Sequence, residues 1–407
     1  MAVTPEILGE RLRAARVSVG LTQEQAASAV GMQRTALVQV EAGKRALSSV
    51  ELFKLAKLYS RDMSDFLSEK PVEEDPIVLL RGIAEDSPEL RREITKCSEM
   101  LREATKLQSY LGEQARSFPP MYTYSDPLSY RQAIDQGKES ATLERRRLDL
   151  GSAPIPDIAY IIMSQTMWVA TASFIDEVSG IFLHHPDYGL AVIVNQDHPP
   201  ARKRFSYAHE YAHALLDRQR KPRPSSKQNA DDLIEKRANA FASEFLIPEA
   251  GVTESLERLR KGASSREYSF MYDPITDEAQ QHESRLDADA QRITVREVAI
   301  LAHEFKVSYD VAVYRLSDIG AIRKSLVDEL ISHKQEGRIL IEQLKLYNGE
   351  AERTKEDRDY LERQLVLLAI EAFRRDKITG GRFRNICKMA DCSADELMKV
   401  VEALAPE

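Results

Sequence analysis

The stretch His209-Glu210-Tyr211-Ala212-His213 limits what this chain can fold into more than any other. Two histidines four residues apart lie one turn apart on the same face of a helix, so both imidazoles reach a single metal ion. The glutamate between them points to the rim of that face, where it takes a proton from a metal-activated water. Five residues are a short pattern, and the flanks decide. Phe205, Ala208, Ala212, Leu215 and Leu216 supply an apolar stripe at helical spacing around the histidines. The expectation is an amphipathic helix carrying a metal site, rather than one holding two satisfied core histidines.

At 407 residues the chain is long enough for two or three domains, one with a substantial core. It is 43% hydrophobic and 30% charged, which excludes wholesale disorder. No apolar run approaches the roughly 20 residues needed to cross a bilayer, and the N-terminus lacks the look of a signal peptide. Three cysteines, with no histidine near Cys387 or Cys392, read as reduced thiols rather than a disulfide framework. A cytoplasmic and bacterial setting is expected, with no membrane partner. The net charge of −8 disfavours coating of nucleic acid by the whole molecule. Residues 1–70, however, carry ten Lys and Arg against eight Asp and Glu, a net of +2.

The expected fold class is α+β, mainly helical. Residues 1–70 read as short helices: Leu8, Leu12 and Ala15 on one face, Thr22 capping the next helix, Gly31 ending it in a tight turn. This is helix-turn-helix organisation. An acidic, proline-bounded linker (71–76) and a charged helix (88–115) fill 71–127. The metal-bearing domain is placed at 128–325, with helices over 128–150 and 156–165. Its small three-stranded sheet is expected at 168–174, 180–184 and 190–194. A further helix is expected over 231–246, a Ser-, Asp- and Gln-rich surface loop over 262–285, and helices again over 294–320. From 326 to 407 a charged segment, open to a helical hairpin or a short coiled coil, precedes a small bundle. A homodimer is expected.

A catalytic zinc takes three protein ligands and leaves one position open. The helix after the motif offers Asp231, Asp232, Glu235 and Glu244. Glu244 is half a turn out of phase with Glu235, which leaves Asp231 and Glu235. Spacing alone does not choose between them.

The block Arg204-Phe205-Ser206-Tyr207-Ala208-His209-Glu210-Tyr211-Ala212-His213 is followed by Glu235-Lys236-Arg237-Ala238-Asn239-Ala240-Phe241-Ala242-Ser243-Glu244-Phe245-Leu246-Ile247-Pro248. Together the two blocks resemble the ImmA/IrrE family of metallopeptidases, over roughly residues 130–325. The resemblance implies Zn2+ held by His209, His213 and Glu235, with Glu210 as general base in a gluzincin-like hydrolysis of peptide bonds. It departs from the family's pattern at Tyr211, where glycine or leucine is frequent, and at Phe245, in place of leucine. His184, His185 and His198 are candidates for stabilising the oxyanion, though each reads more simply as a surface or loop histidine. His303 reads as structural.

Residues 7–67 resemble the XRE family of helix-turn-helix repressors, on Leu21-Thr22-Gln23-Glu24-Gln25-Ala26-Ala27 and Gly31 through Arg45. Arg34, Thr35, Val38 and Gln39 are then the candidate readers of base edges in double-stranded DNA. Gln23, Lys44 and Arg45 are candidate phosphate contacts. A protein-binding or dimerisation module is the competing reading of this segment. The combination points to a DNA-binding zinc endopeptidase that regulates transcription by cleaving a partner repressor, in stress responses or mobile elements. The alternative is a transcription factor whose zinc domain senses a ligand or holds structure without turnover.

Overall fold

A computed structural model describes residues 3–18, 21–59, 63–67, 88–113, 118–220, 224–226, 231–261, 266–273, 278–285, 291–347 and 360–403. The expected linker at 71–76 and residues 348–359 of the charged segment lie outside them. The fold is mainly helical α+β, with one small mixed sheet of four strands.

Near the N-terminus, the helices Pro5–Ser18, Gln23–Val30, Arg34–Glu41, Ser49–Leu58 and Met63–Leu67 enclose a core of Leu12, Ala26, Ala27, Leu37 and Leu55. Local chemistry sets the second helix. The Thr22 hydroxyl accepts from the Gln25 N–H at 3.2 Å, and the Gln25 side chain accepts from the Thr22 N–H at 2.9 Å. Gly31 closes the helix in the left-handed region, at φ 75°. Gly9 has no side chain to keep the first and third helices apart; a Cβ there would lie 2.6 Å from the Val40 carbonyl oxygen.

The sheet runs β1 (Trp168–Ala172), β3 (Gly189–Asn195), β2 (Val178–His185), β4 (Ser225–Ser226). β1 is parallel to β3, with Trp168 opposite Ala191, and β2 is antiparallel to β3, with Phe182 opposite Val192. Both faces are covered, which is why these strands read as nearly continuous apolar runs. Val169, Phe182, Leu190, Val192 and Val194 face the helices Tyr130–Arg147, Ile158–Ser164, Pro200–Leu216 and Leu233–Leu246. Trp168, Ala170, Ile181, Leu183, Ala191 and Ile193 face the helices Pro88–Tyr110, Tyr360–Arg374 and Gly380–Met389.

Three expectations are corrected or resolved. The sheet has a fourth strand: Ser225 and Ser226 join the edge of β2 by backbone pairing, and two serines carry no apolar period that would reveal it. The segment 262–285 is not a plain loop, since Arg266–Asp273 (β5) pairs antiparallel with Glu278–Arg285 (β6). Its polar composition hid a real signal, the alternation Tyr268, Phe270, Tyr272. The charged segment after 323 forms helices Lys324–Ser332 and Lys334–Tyr347, which fold back onto the domain with Leu330 and Ile341 buried. Gly337 lets the second of them lie directly on the Tyr309 ring.

Candidate metal centre and nucleic-acid interface

The motif helix starts where Pro200 presets its first turn and ends at Asp217. Its inner face is apolar (Ala208, Ala212, Leu215), which places His209 and His213 on the side turned toward the helix Leu233–Leu246. Gly137 sets how close that second helix can come, because a Cβ there would overlap the Arg237 carbonyl oxygen.

Nε2 of His209 lies 3.1 Å from Nε2 of His213 and 3.0 Å from a Glu235 carboxylate oxygen; the other Glu235 oxygen is 3.7 Å from Nε2 of His213. Among the described residues these three form the group of side chains able to share an ion, all of them buried. Two donors on one tetrahedral zinc, at ~2.0–2.1 Å each, stand roughly 3.4 Å apart. Separations of 3.0, 3.1 and 3.7 Å therefore suit a single small cation. Two imidazoles and a carboxylate are also the right donors for a borderline divalent ion. The other ring nitrogens are occupied. Nδ1–H of His209 donates to Asn239 Oδ1 at 2.9 Å and Nδ1–H of His213 to Asp217 Oδ2 at 3.1 Å, so both Nε2 atoms face the centre.

Electrostatics reinforce the cluster. Burial opposes a charged Glu235, yet hydrogen bonds from His209 and His213 outweigh it and hold the carboxyl well below the usual range. His213 goes the other way: burial lowers it, but Asp217 and Glu235 dominate and push it up to about 10.

Glu210 has no solvent exposure, and neither carboxylate oxygen has a hydrogen-bond partner. It packs against the β2 edge, where a Cβ on Gly180 would come within 3.0 Å of its Oε1. Burial raises its carboxyl, against the pull of His209 and His213.

The other acidic candidates lie elsewhere. Asp231 is exposed and pairs with Lys236 at 3.2 Å. Glu244 is buried but pairs with Arg315. His198 is held by Asn195 at 3.3 Å and by Asp176 at 3.4 Å, while His185 stacks on Tyr188. Tyr211, the departure from the family pattern, puts its hydroxyl on Glu144, which also accepts from Tyr122 at 2.9 Å and Arg147 at 2.6 Å. Sequence reading missed Asp217 and Asn239 as supports of the histidines. Helical spacing held the clue, since Asp217 sits four residues after His213 and Asn239 four after Glu235, where side chains meet.

In the N-terminal helices Arg34, Thr35, Val38 and Gln39 are all exposed along one helix, with Lys44 exposed just beyond. Arg34 also lies 3.9 Å from Glu24 at the surface, and two other candidates have closer intramolecular partners. Gln23 donates to Glu41 at 2.8 Å, within a buried ion pair to Arg16, and Arg45 pairs with Glu51 at 2.9 Å.

Residues 175–317 match the model of a peptidase family, M78, described as an IrrE N-terminal-like domain. The match spans both helices that carry His209, His213 and Glu235. Residues 12–66 match a helix-turn-helix model. No curated protein matches the chain, and among the described residues no helix is long and apolar enough to cross a membrane. The chain therefore joins an XRE-type helix-turn-helix domain to an IrrE N-terminal-like domain of the M78 peptidase family.

Proposed function

We propose that this protein is a cytoplasmic, DNA-binding zinc endopeptidase that regulates transcription by site-specific cleavage of a partner repressor in a stress or mobile-element response. The observation that carries this reading is the convergence of His209, His213 and Glu235 on one point, with the Glu210 carboxylate buried beside them. When bound there, the metal supplies Lewis acidity toward a water and a peptide carbonyl. Glu210 takes the proton of the attacking water and passes it to the leaving amine; its dry, unpartnered carboxylate suits a group that must change protonation twice per turnover. The edge of β2 at Gly180, against which Glu210 packs, borders this chemistry. For DNA, the exposed row Arg34, Thr35, Val38 and Gln39 supports base reading, with Lys44 on phosphate.

One observation favours a second reading, a regulator whose metal domain senses a ligand or holds structure without turnover. Glu210 is fully enclosed, and the β4 strand pairs with β2 at Gly180 itself. Glu210→Gln separates the two. On a quenched-fluorescent peptide library the variant is expected to lose at least about a hundredfold in rate while keeping its zinc. Parent-like cleavage by the variant would remove Glu210 as base and with it the peptidase reading.

A further inference from the structure

The support of His213 does not end at Asp217. This carboxylate, itself buried, accepts from Nδ1 of His213 at 3.1 Å, from Arg237 at 2.6 Å and from Arg220 at 3.0 Å. Arg237 belongs to the helix that carries Glu235, so one carboxylate bridges the two metal-bearing helices. Both arginines then lead to the same short stretch of chain. Arg237 donates to the Gln136 side chain at 3.1 Å, and Gln136 donates to the Ser125 carbonyl at 3.1 Å. Arg220 pairs with Asp126, the very next residue. The contacts close a ring: Asp217, Arg237, Gln136, Ser125–Asp126, Arg220, and back to Asp217.

Residues 118–126 form a strap along the C-terminal end of the motif helix. Tyr122 N–H donates to the Leu215 carbonyl at 2.8 Å, and Arg218 donates to the Pro119 carbonyl at 2.9 Å while lying over the Phe118 ring. The ring thus connects a buried metal-facing imidazole to an exposed ion pair on this strap, Arg220–Asp126.

We propose that Asp217 is a positioning residue for the metal, and that the ring makes metal affinity depend on the strap through the Arg220–Asp126 pair; this rests on the metal being held by His209, His213 and Glu235. The physics is specific. Asp217 fixes which nitrogen of His213 carries the proton and where the ring points. Arg237 and Arg220 share the carboxylate's charge and fix its plane. Losing either arginine contact frees the carboxylate to rotate away from Nδ1.

The test uses full-length protein with zinc and cobalt(II), reading chelator-competition Kd, the visible spectrum of bound cobalt and the Tm of the metal-free form. Asp217→Asn is expected to weaken zinc about 10- to 100-fold and to change the cobalt spectrum. Asp126→Asn alters only the exposed pair, whereas Arg220→Gln also withdraws a donor from buried Asp217. Each is expected to weaken zinc by about two- to fivefold, with the metal-free Tm unchanged in Asp126→Asn. Parent-like Kd and cobalt spectrum in Asp217→Asn would overturn the positioning role. Should that variant not fold, the two surface variants decide, and parent-like Kd in both would overturn the proposal. His209→Ala keeps the readings apart: if it binds zinc like the parent, the metal assignment itself has failed. If it loses zinc while the ring variants do not, only the ring has failed.

Discussion

In the proposed centre the His213 ring that binds a proton in metal-free protein would also bind the metal, and these roles compete. In metal-free protein, burial disfavours its imidazolium, but Asp217 and Glu235 outweigh that and push its pKa up to about 10. A metal accepts only the neutral ring, so binding expels a proton at any pH below about 10. Apparent affinity is expected to rise close to tenfold per pH unit through neutrality. Calorimetric titrations in buffers of differing ionisation enthalpy should report release of about one proton; a titration indifferent to buffer would contradict this. The linked stability has a definite sign. The contribution of His213 to the metal-free fold is complete below the ordinary histidine value of 6.5 and is lost as pH rises through about 10. At this scale the two histidines were legible, because helical period alone puts them on one face, with Glu210 at its rim. Glu235 and Asp231 were not separable by spacing. What separates them is that Asp231 turns outward to Lys236, a contact no periodicity encodes. Tyr211 was visible as an oddity, but its partner Glu144 lies 67 residues upstream.

The helix pair Tyr130–Arg147 and Leu233–Leu246 is the element on which the centre depends. Gly137 permits their approach, since a Cβ would overlap the Arg237 carbonyl and press on Ala240 at 2.8 Å. Alanine is the better helix former by roughly 1 kcal/mol, yet here it forces the helices apart. Gly137→Ala is therefore expected to cost ~1–3 kcal/mol net and to weaken zinc as well, because Glu235, Arg237 and Asn239 ride on the displaced helix. Calorimetric Tm and chelator competition check both; a Tm at or above the parent's would contradict the packing argument. Helices with a clean apolar stripe, such as Leu233–Leu246, expected over 231–246, were read from sequence nearly to their ends. The β5–β6 hairpin was not, because its polar residues masked the aromatic alternation, and β4 is too short to carry any pattern.

At the scale of the molecule, order along the chain conceals proximity in space. The sheet's second face is covered by Pro88–Tyr110 and Tyr360–Arg374, segments from opposite ends of the sequence. Each is visibly amphipathic, but nothing local says that they meet. For the N-terminal domain, Arg34→Ala and Gln39→Ala are expected to relax discrimination between sites, by about 1–3 kcal/mol per lost base contact. Lys44→Ala should weaken all sequences alike and reduce the salt slope by about 1. Arg45→Ala should do less, as Glu51 already engages that side chain. Binding of labelled duplexes at several salt concentrations checks these, and Arg34 and Gln39 variants with parent-like specificity would place the readers elsewhere. The most direct test of the whole account is the metal content of purified full-length protein beside its His209→Ala and Glu235→Ala variants. Near one equivalent of zinc is expected in the parent, with marked loss in both variants; a metal-free parent, or full stoichiometry retained in either variant, would overturn the metal assignment.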